Sequence, residues 1–159
     1  MKVLNIHERT IAQSSDHIVP LLASLASKND LVWPYEQWPR MRFKDGIKIG
    51  AIGGHGPIVY EIVSFDPHSA IVFKFHEPRG FVGTHCLELE ARGEEATMLR
   101  HTIDMRLKGR ARWIWLLAIR WLHDALIEDA FDKVENYFTS KKKRSKWNLW
   151  VRFLRTILK

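Results

Sequence analysis

Three histidines are the residues of this chain whose type and spacing point to chemistry. In residues 81–91 the odd positions Phe81, Gly83, His85, Leu87 and Leu89 share one face of a strand. In residues 96–108 the odd positions Leu99, His101, Ile103, Met105 and Leu107 do the same. These are the apolar faces, so His85 and His101 are expected to point inward. A tight turn at Gly93 joins the two runs. If Ala91 pairs with Glu95 across a three-residue loop, His85 lies directly opposite His101, with β-carbons about 5 Å apart. A register two residues away leaves the two as diagonal neighbours. His123 approaches the same space from a helix. Imidazole near neutral pH can move a proton, hydrogen-bond a ligand carbonyl or carboxylate, or bind a metal. The same residues also fit a structural role, each bonded to a neighbour or a trapped water. No His-Glu-x-x-His or Cys-x-x-Cys spacing is present, and three neutral ligands without a carboxylate are only one zinc pattern, so no metal or cofactor is expected.

The element that must carry His123 is the run Arg110 to Thr139. It contains no Pro or Gly and splits on a helical wheel into two faces. Arg120, Asp124, Glu128, Asp132 and Glu135 fall on one side; Trp115, Ile119, Leu122, Leu126, Ala130 and Val134 are among those on the other, with His123 near the centre of the apolar stripe. Such a helix is about 40 Å long and needs an apolar partner of similar length. Asp124, Glu128 and Asp132 read as a solvated stripe.

The rest of the chain supplies that partner. Residues 2–11 read as a strand, His17 to Ser27 as a short helix, and the twice proline-broken run Leu31–Pro39 as a second short helix or an irregular turn. From Ile47 the period is two, and five strands are expected: Ile47–Ala51, Ile58–Phe65, Ala70–His76, Phe81–Ala91 and Ala96–Lys108. Short turns between them imply an antiparallel meander. The expected fold is α+β: a curved antiparallel sheet wrapped around a long C-terminal helix, with two short helices after the first strand. Gly53-Gly54-His55-Gly56 lacks the ending of a phosphate loop and reads as a strand connection with His55 exposed. Trp33, Tyr35 and Trp38 either form the mouth of a pocket or plug the open end of the sheet. Cys86 falls on the face opposite His85, which argues against a Cys-His nucleophile.

This order of elements resembles the START-like or birch-pollen-allergen-like superfamily, whose fold is called a helix grip. It is similar in particular to the bacterial polyketide cyclase/dehydrase-like members. The residues that carry the resemblance are Tyr60-Glu61-Ile62-Val63-Ser64-Phe65-Asp66-Pro67 running into Ile71-Val72-Phe73-Lys74-Phe75, then Gly83-Thr84-His85-Cys86-Leu87-Glu88-Leu89 and the C-terminal helix. It covers residues 1–140 and is a match of strand rhythm. The resemblance implies a hollow between sheet and helix that takes apolar or aromatic small molecules, lipids or polyketides. Members include carriers, cyclases and chaperone activators, with no catalytic set shared by all. The expected ligand-binding cavity is lined by His85, His101, His123, Phe73, Phe75, Ile103, Met105 and Ile119. Three functions stay open: a carrier or sensor of an apolar ligand, a cyclase or isomerase using the histidines as acid and base, and an interaction module using the outer surface.

Charge separates a body from a tail. Residues 141–159 hold 8 of the 25 basic side chains and none of the 18 acidic ones, so 17 basic face 18 acidic in residues 1–140. A body so nearly neutral is not a nucleic-acid-binding domain. The domain division is therefore 1–140 and a basic amphipathic tail, 141–159. From a cap at Ser145, Trp147, Trp150, Val151, Leu154, Ile157 and Leu158 fall on one side of a wheel, with Leu149 and Phe153 widening it; Asn148, Arg152, Arg155 and Lys159 fall opposite. Trp147, Trp150, Arg152 and Arg155 are the expected contacts to a membrane interface or to protein, either the body or a second subunit. The charged start of the chain carries no signal-peptide pattern and a single cysteine excludes an intramolecular disulfide. The expected location is cytoplasmic, with peripheral contact at the inner membrane face.

Overall fold

The computed structural model describes residues 1–158; Lys159, expected on the polar side of the tail, lies outside the described residues. Seven strands form one antiparallel sheet: β1 (Lys2–Ile11), β2 (Arg42–Phe43), β3 (Ile52–His55), β4 (Ile58–Asp66), β5 (Ala70–Glu77), β6 (Phe81–Ala91) and β7 (Thr97–Leu107). Their order across the sheet is β1-β7-β6-β5-β4-β3-β2. The meander β2 to β7 runs in sequence order, and β1 closes onto its far side. Helix α1 (Ser15–Ala23) follows β1. The long helix, 111–137, consists of α2 (Ala111–Ile114), a wide π-helical turn (Trp115–Ile119) and α3 (Arg120–Tyr137); α4 (Leu149–Ile157) ends the chain. The fold is the expected α+β helix grip, with the core between the sheet and the long helix.

Alternation sorts the sheet residues as the sequence suggests. Phe81, His85, Leu87 and Leu89 of β6 and Leu99, His101, Ile103, Met105 and Leu107 of β7 are buried. Three expectations about the chain fail, each for a local reason. The second short helix of the expected fold does not form; Leu31–Pro39 takes the other alternative, an irregular turn. The Asp30 carboxylate accepts hydrogen bonds from the amides of Ala26, Val32 and Trp33, and Pro34 and Pro39 confine the segment after Trp33 to tight turns. The strand expected at Ile47–Ala51 lies directly after that segment, at Ile52–His55. Its glycines are what let it pair there: a β-carbon on Gly53 would stand 2.2 Å from the Arg42 carbonyl oxygen. The β6–β7 loop has five residues rather than three, with the Arg92 amide bonded to the Ala96 carbonyl. Ala91 therefore pairs with Thr97, and the whole hairpin shifts by two.

The polar face of α3 is also not a solvated stripe. It faces the inner side of β1. Asn5 donates to Asp124 at 3.0 Å, and the His7 ring lies 3.1 Å from Asp124 and 2.8 Å from Glu128. Arg9 donates to Glu128, Asp132 and Glu135 at 2.7–2.9 Å. Inward residues of a strand recur every ~6.7 Å and residues four apart on a helix every ~6 Å, so the two rows mesh as a ladder.

The tail folds back onto the body. Helix α4 starts at Leu149, not at Ser145, because Asn148 is the cap: its side chain accepts from the Val151 amide at 2.8 Å. Val151 and Leu154 are buried against the body. Trp147, outside the helix, donates its indole N–H to Asp129, which also accepts from Trp38. Arg155 turns inward rather than outward, with its guanidinium over the Trp38 ring and bonded to the Gln37 carbonyl. Among the described residues no helix is long and apolar enough to cross a membrane.

Candidate functional site

A cavity of about 270 Å³ lies between the sheet and the long helix. Its walls come from β4–β7 (Tyr60, Phe75, Phe81, His85, His101, Ile103), from the long helix (Trp115, Ile119, Leu122, His123) and from Trp33 and Trp38 of the segment after α1. Arg155 and Leu158 of the tail border it. The volume lies just below the range of about 300–1,000 Å³ for drug-sized ligands, which suits a small molecule.

The shift in the β6–β7 register changes how the histidines meet. His85 is paired with Ile103 and His101 with Leu87, so the two are diagonal neighbours and not directly opposed. Their rings still touch: His85 Nδ1 is 3.3 Å from His101 Nε2. The His123 ring lies tilted against His101, ring centroids 4.9 Å apart, and edge-on to His7, 5.8 Å. His85 lies flat on Phe73 at 4.6 Å and against the edge of Tyr60 at 4.7 Å.

Burial fixes the protonation states. It holds His85 and His101 well below the ordinary imidazole range, reinforced by His123 nearby. Burial also lowers His123, against the opposing pull of Asp124. Tyr60, wholly buried, is pushed well above the ordinary phenol range and stays a hydroxyl. The cavity imidazoles are therefore neutral at pH 7, each with one N–H. One of the facing nitrogens of His85 and His101 must donate to the other. If His85 Nδ1 donates, its Nε2 is an acceptor; if His101 Nε2 donates, His85 Nε2 carries the proton. The pair can thus offer a ligand either role. Four polar atoms of these side chains have no partner, the Tyr60 hydroxyl, His85 Nε2, His101 Nδ1 and His123 Nε2, while His123 Nδ1 lies 3.6 Å from the Asp124 carboxylate. An unsatisfied buried polar atom costs about 1–3 kcal/mol, so this wall is incomplete without something to bond.

Behind the cavity the chain of imidazoles reaches carboxylates. Burial alone would depress the His7 pKa, but hydrogen bonds to Asp124 and Glu128 outweigh it and leave it raised. Contacts with His123, His7 and Asn5 leave Asp124 well below the usual carboxylate range despite its burial. The rings of His85, His101 and His123 succeed one another from the cavity toward Asp124, with a hydrogen bond between the first two. His7, His123 and Asp124 also bring three donor atoms within 4.8 Å of one another, and they are the group that could hold a metal ion among the described residues. Both His7 nitrogens already face carboxylates, which suits a protonated imidazole bridging Asp124 and Glu128.

No protein-family profile matches this sequence, and no curated protein matches it either. Solved structures do. Norcoclaurine synthase from Thalictrum flavum, in complex with dopamine and hydroxybenzaldehyde, superposes with a TM-score of 0.65 over 89% of this chain and 90% of its own, at 16% identity. A protein from Thermobifida fusca gives 0.62 over 87% and 97%, at 13% identity. One from Nitrosospira multiformis gives 0.62 over 91% and 100%, at 11%. The chain has the birch-pollen-allergen-like fold.

Within this helix grip the expected lining residues divide. His85, His101, His123, Phe75, Ile103 and Ile119 line the cavity. Phe73 and Met105 are buried outside the lining, Phe73 as the plate on which His85 lies. Trp33 and Trp38 belong to the wall, so they serve the pocket as well as closing the sheet's end. His55, expected exposed, lines the cavity against Trp33 at 4.6 Å, and burial pushes its pKa down to about 3. Tyr60 belongs to the stretch that carries the family resemblance but is not among the expected site residues; its signal is a hydroxyl on the inward phase of a strand whose other inward residues, Ile58 and Ile62, are aliphatic. His7 is likewise unexpected, and its signal is the polar row Asn5, His7, Arg9 at period two. Cys86 stays on the opposite face from His85, its thiol pushed up to about 12 by burial and by Glu88.

Proposed function

We propose that the chain binds a small apolar molecule, aromatic, polyketide-like or lipid-like, that carries one hydroxyl or carbonyl group, and holds it in the cavity as a carrier or sensor. The observation that carries this reading is the set of unpartnered polar atoms on Tyr60, His85 and His123 in an otherwise apolar wall. Apolar surface supplies the affinity, and a single ligand oxygen satisfies groups that are costly when left alone. An open interior argues against an interaction module with a filled core. The aromatic, hydroxylated compounds bound by norcoclaurine synthase have the chemistry this wall would accept.

The test compares two probes that differ by one oxygen, naphthalene and 2-naphthol, through quenching of the cavity tryptophans Trp33, Trp38 and Trp115. A hydrogen bond worth about 1 kcal/mol should make 2-naphthol bind roughly fivefold tighter. Tyr60→Phe, His85→Leu and His123→Leu together should remove that preference while leaving naphthalene binding within about twofold. No binding of either probe, or an equal preference in both proteins, would refute the reading.

A further inference from the structure

Helix α4 has two apolar faces, and the body uses only one. Val151 and Leu154 are buried against the protein. Leu149, Phe153 and Ile157, spaced i, i+4 and i+8, form a second stripe about 100° or more away and are 81%, 51% and 57% exposed. Trp150 lies beside this stripe, stacked on Phe153 at 5.3 Å. The start of the long helix continues the surface. Residues 113–119 are apolar all round, a composition that belongs in a core or a membrane, yet Trp113 is 67% exposed and Leu117 59%. The indole of Trp150 joins the two segments by donating to the Leu117 carbonyl at 2.9 Å. So many large apolar side chains left open on adjoining helices mark an interaction surface.

Charge identifies the partner. From Met105 to His123 there are five basic residues and no acid, and from Asn136 to Lys159 eight basic residues and no acid. Arg110, Arg112, Arg120, Lys146 and Arg152 are exposed around the apolar surface. A second copy of the chain would bring like charges together. An anionic bilayer would accept both parts: tryptophans and aliphatics at the headgroup boundary, cations against phosphates.

We propose that this surface docks the protein on an anionic membrane. The cavity borders the same region, since Trp115 and Ile119 on the inner side of the π-helical turn and Leu158 after α4 line it. The docked protein therefore presents its cavity close to the lipid, from which an apolar ligand can be taken or to which it can be returned. Docking depends on the outer stripe and the cations and not on cavity occupancy, so it stands or falls separately from ligand binding.

The experiment is co-sedimentation of the full chain with vesicles of phosphatidylcholine alone or with 30 mol% phosphatidylglycerol (about one lipid in three anionic). The wild type should pellet with the anionic vesicles at low salt, at least tenfold more strongly than with the neutral ones, and be released as salt rises. The variant Trp113→Gln/Leu149→Gln/Phe153→Gln alters exposed side chains only and should melt as the wild type does but partition at least tenfold more weakly. Failure of the wild type to pellet with anionic vesicles at low salt would overturn the proposal. So would equal pelleting of the folded variant. A dimer abolished by the variant, without vesicle binding, would assign the surface to a second copy instead.

Discussion

The buried histidines make the fold sensitive to mild acid, by an amount the structure allows to be worked out. His85 and His101 are held well below the ordinary imidazole range by burial, and His55 is pushed down to about 3 for the same reason. In the unfolded chain each titrates near 6.5. Below that value the unfolded state binds a proton on each and the folded state does not, so stability falls with pH by about 1.4 kcal/mol per unit per histidine. Three such groups lose roughly 4 kcal/mol between pH 7.5 and 5.5, about a quarter or more of the stability of an ordinary domain. His123, also lowered, acts in the same direction. His7 opposes it: its raised pKa stabilises the fold below 6.5, an effect lost as pH rises through the folded value. Asp30 and Asp129, raised by burial, also favour the folded state as acid is added, each binding its proton earlier there.

A double variant separates these contributions. His85→Asn and His101→Gln place amide groups where Nδ1 and Nε2 stood, and with the oxygen of one facing the NH2 of the other the contact has a substitute but neither residue titrates. Urea unfolding at pH 7.5, 6.5 and 5.5 gives the slope of stability against pH, and hence the difference in bound protons. Below pH 6 the wild-type slope should exceed the variant slope by nearly two protons, or about 2.7 kcal/mol per pH unit. Equal slopes would mean that both histidines protonate inside the folded protein. The neutral-imidazole account of the cavity would then be wrong.

Two further outcomes are expected from the packing. Gly83 has φ of 155°, and a β-carbon there would stand 2.3 Å from the Asp104 carbonyl oxygen and 2.5 Å from the Met105 α-carbon, so Gly83→Ala should cost about 3 kcal/mol or more in urea unfolding. Asp129→Ala leaves the indoles of Trp38 and Trp147 without an acceptor and should cost roughly 2–4 kcal/mol while speeding tryptic cleavage among Lys141–Lys146; Asp129→Asn keeps an acceptor oxygen and should do much less.

The features legible in the sequence are those that depend on local periodicity. The alternation in residues 58–107 places four strands and puts His85 and His101 on the inner face, because a side-chain period of two survives any choice of partner. The loop between β6 and β7 reads as three residues because Gly93 sits close to the apolar run. The chain spends five, and nothing local distinguishes the two lengths. The two-residue shift preserves the face and changes only the neighbour, so the histidines still meet diagonally. His55 is misplaced because a glycine-rich stretch reads as a connection; the close approach of Arg42 and Phe43 to Gly53 and of Ile58 to Gly54 explains why glycine is needed inside a strand there.

The larger misreading concerns Asp124, Glu128 and Asp132, and it bears on the site itself. A helical wheel shows which face is polar but not whether that face meets water. Here it meets Asn5, His7 and Arg9, whose spacing along β1 nearly equals that of the carboxylates along α3. The long helix is therefore held on two sides: apolar contacts press it to the sheet, and the polar ladder fixes its rotation. Apolar packing alone is non-directional and would tolerate a turn of the helix about its axis. Asp124, pinned by Asn5 and His7, is the immediate neighbour of His123, so the ladder is what aims that imidazole at His101 and the cavity. The polar row on β1 is thus part of the machinery that builds the binding wall, although none of Asn5, His7 and Arg9 lines the cavity.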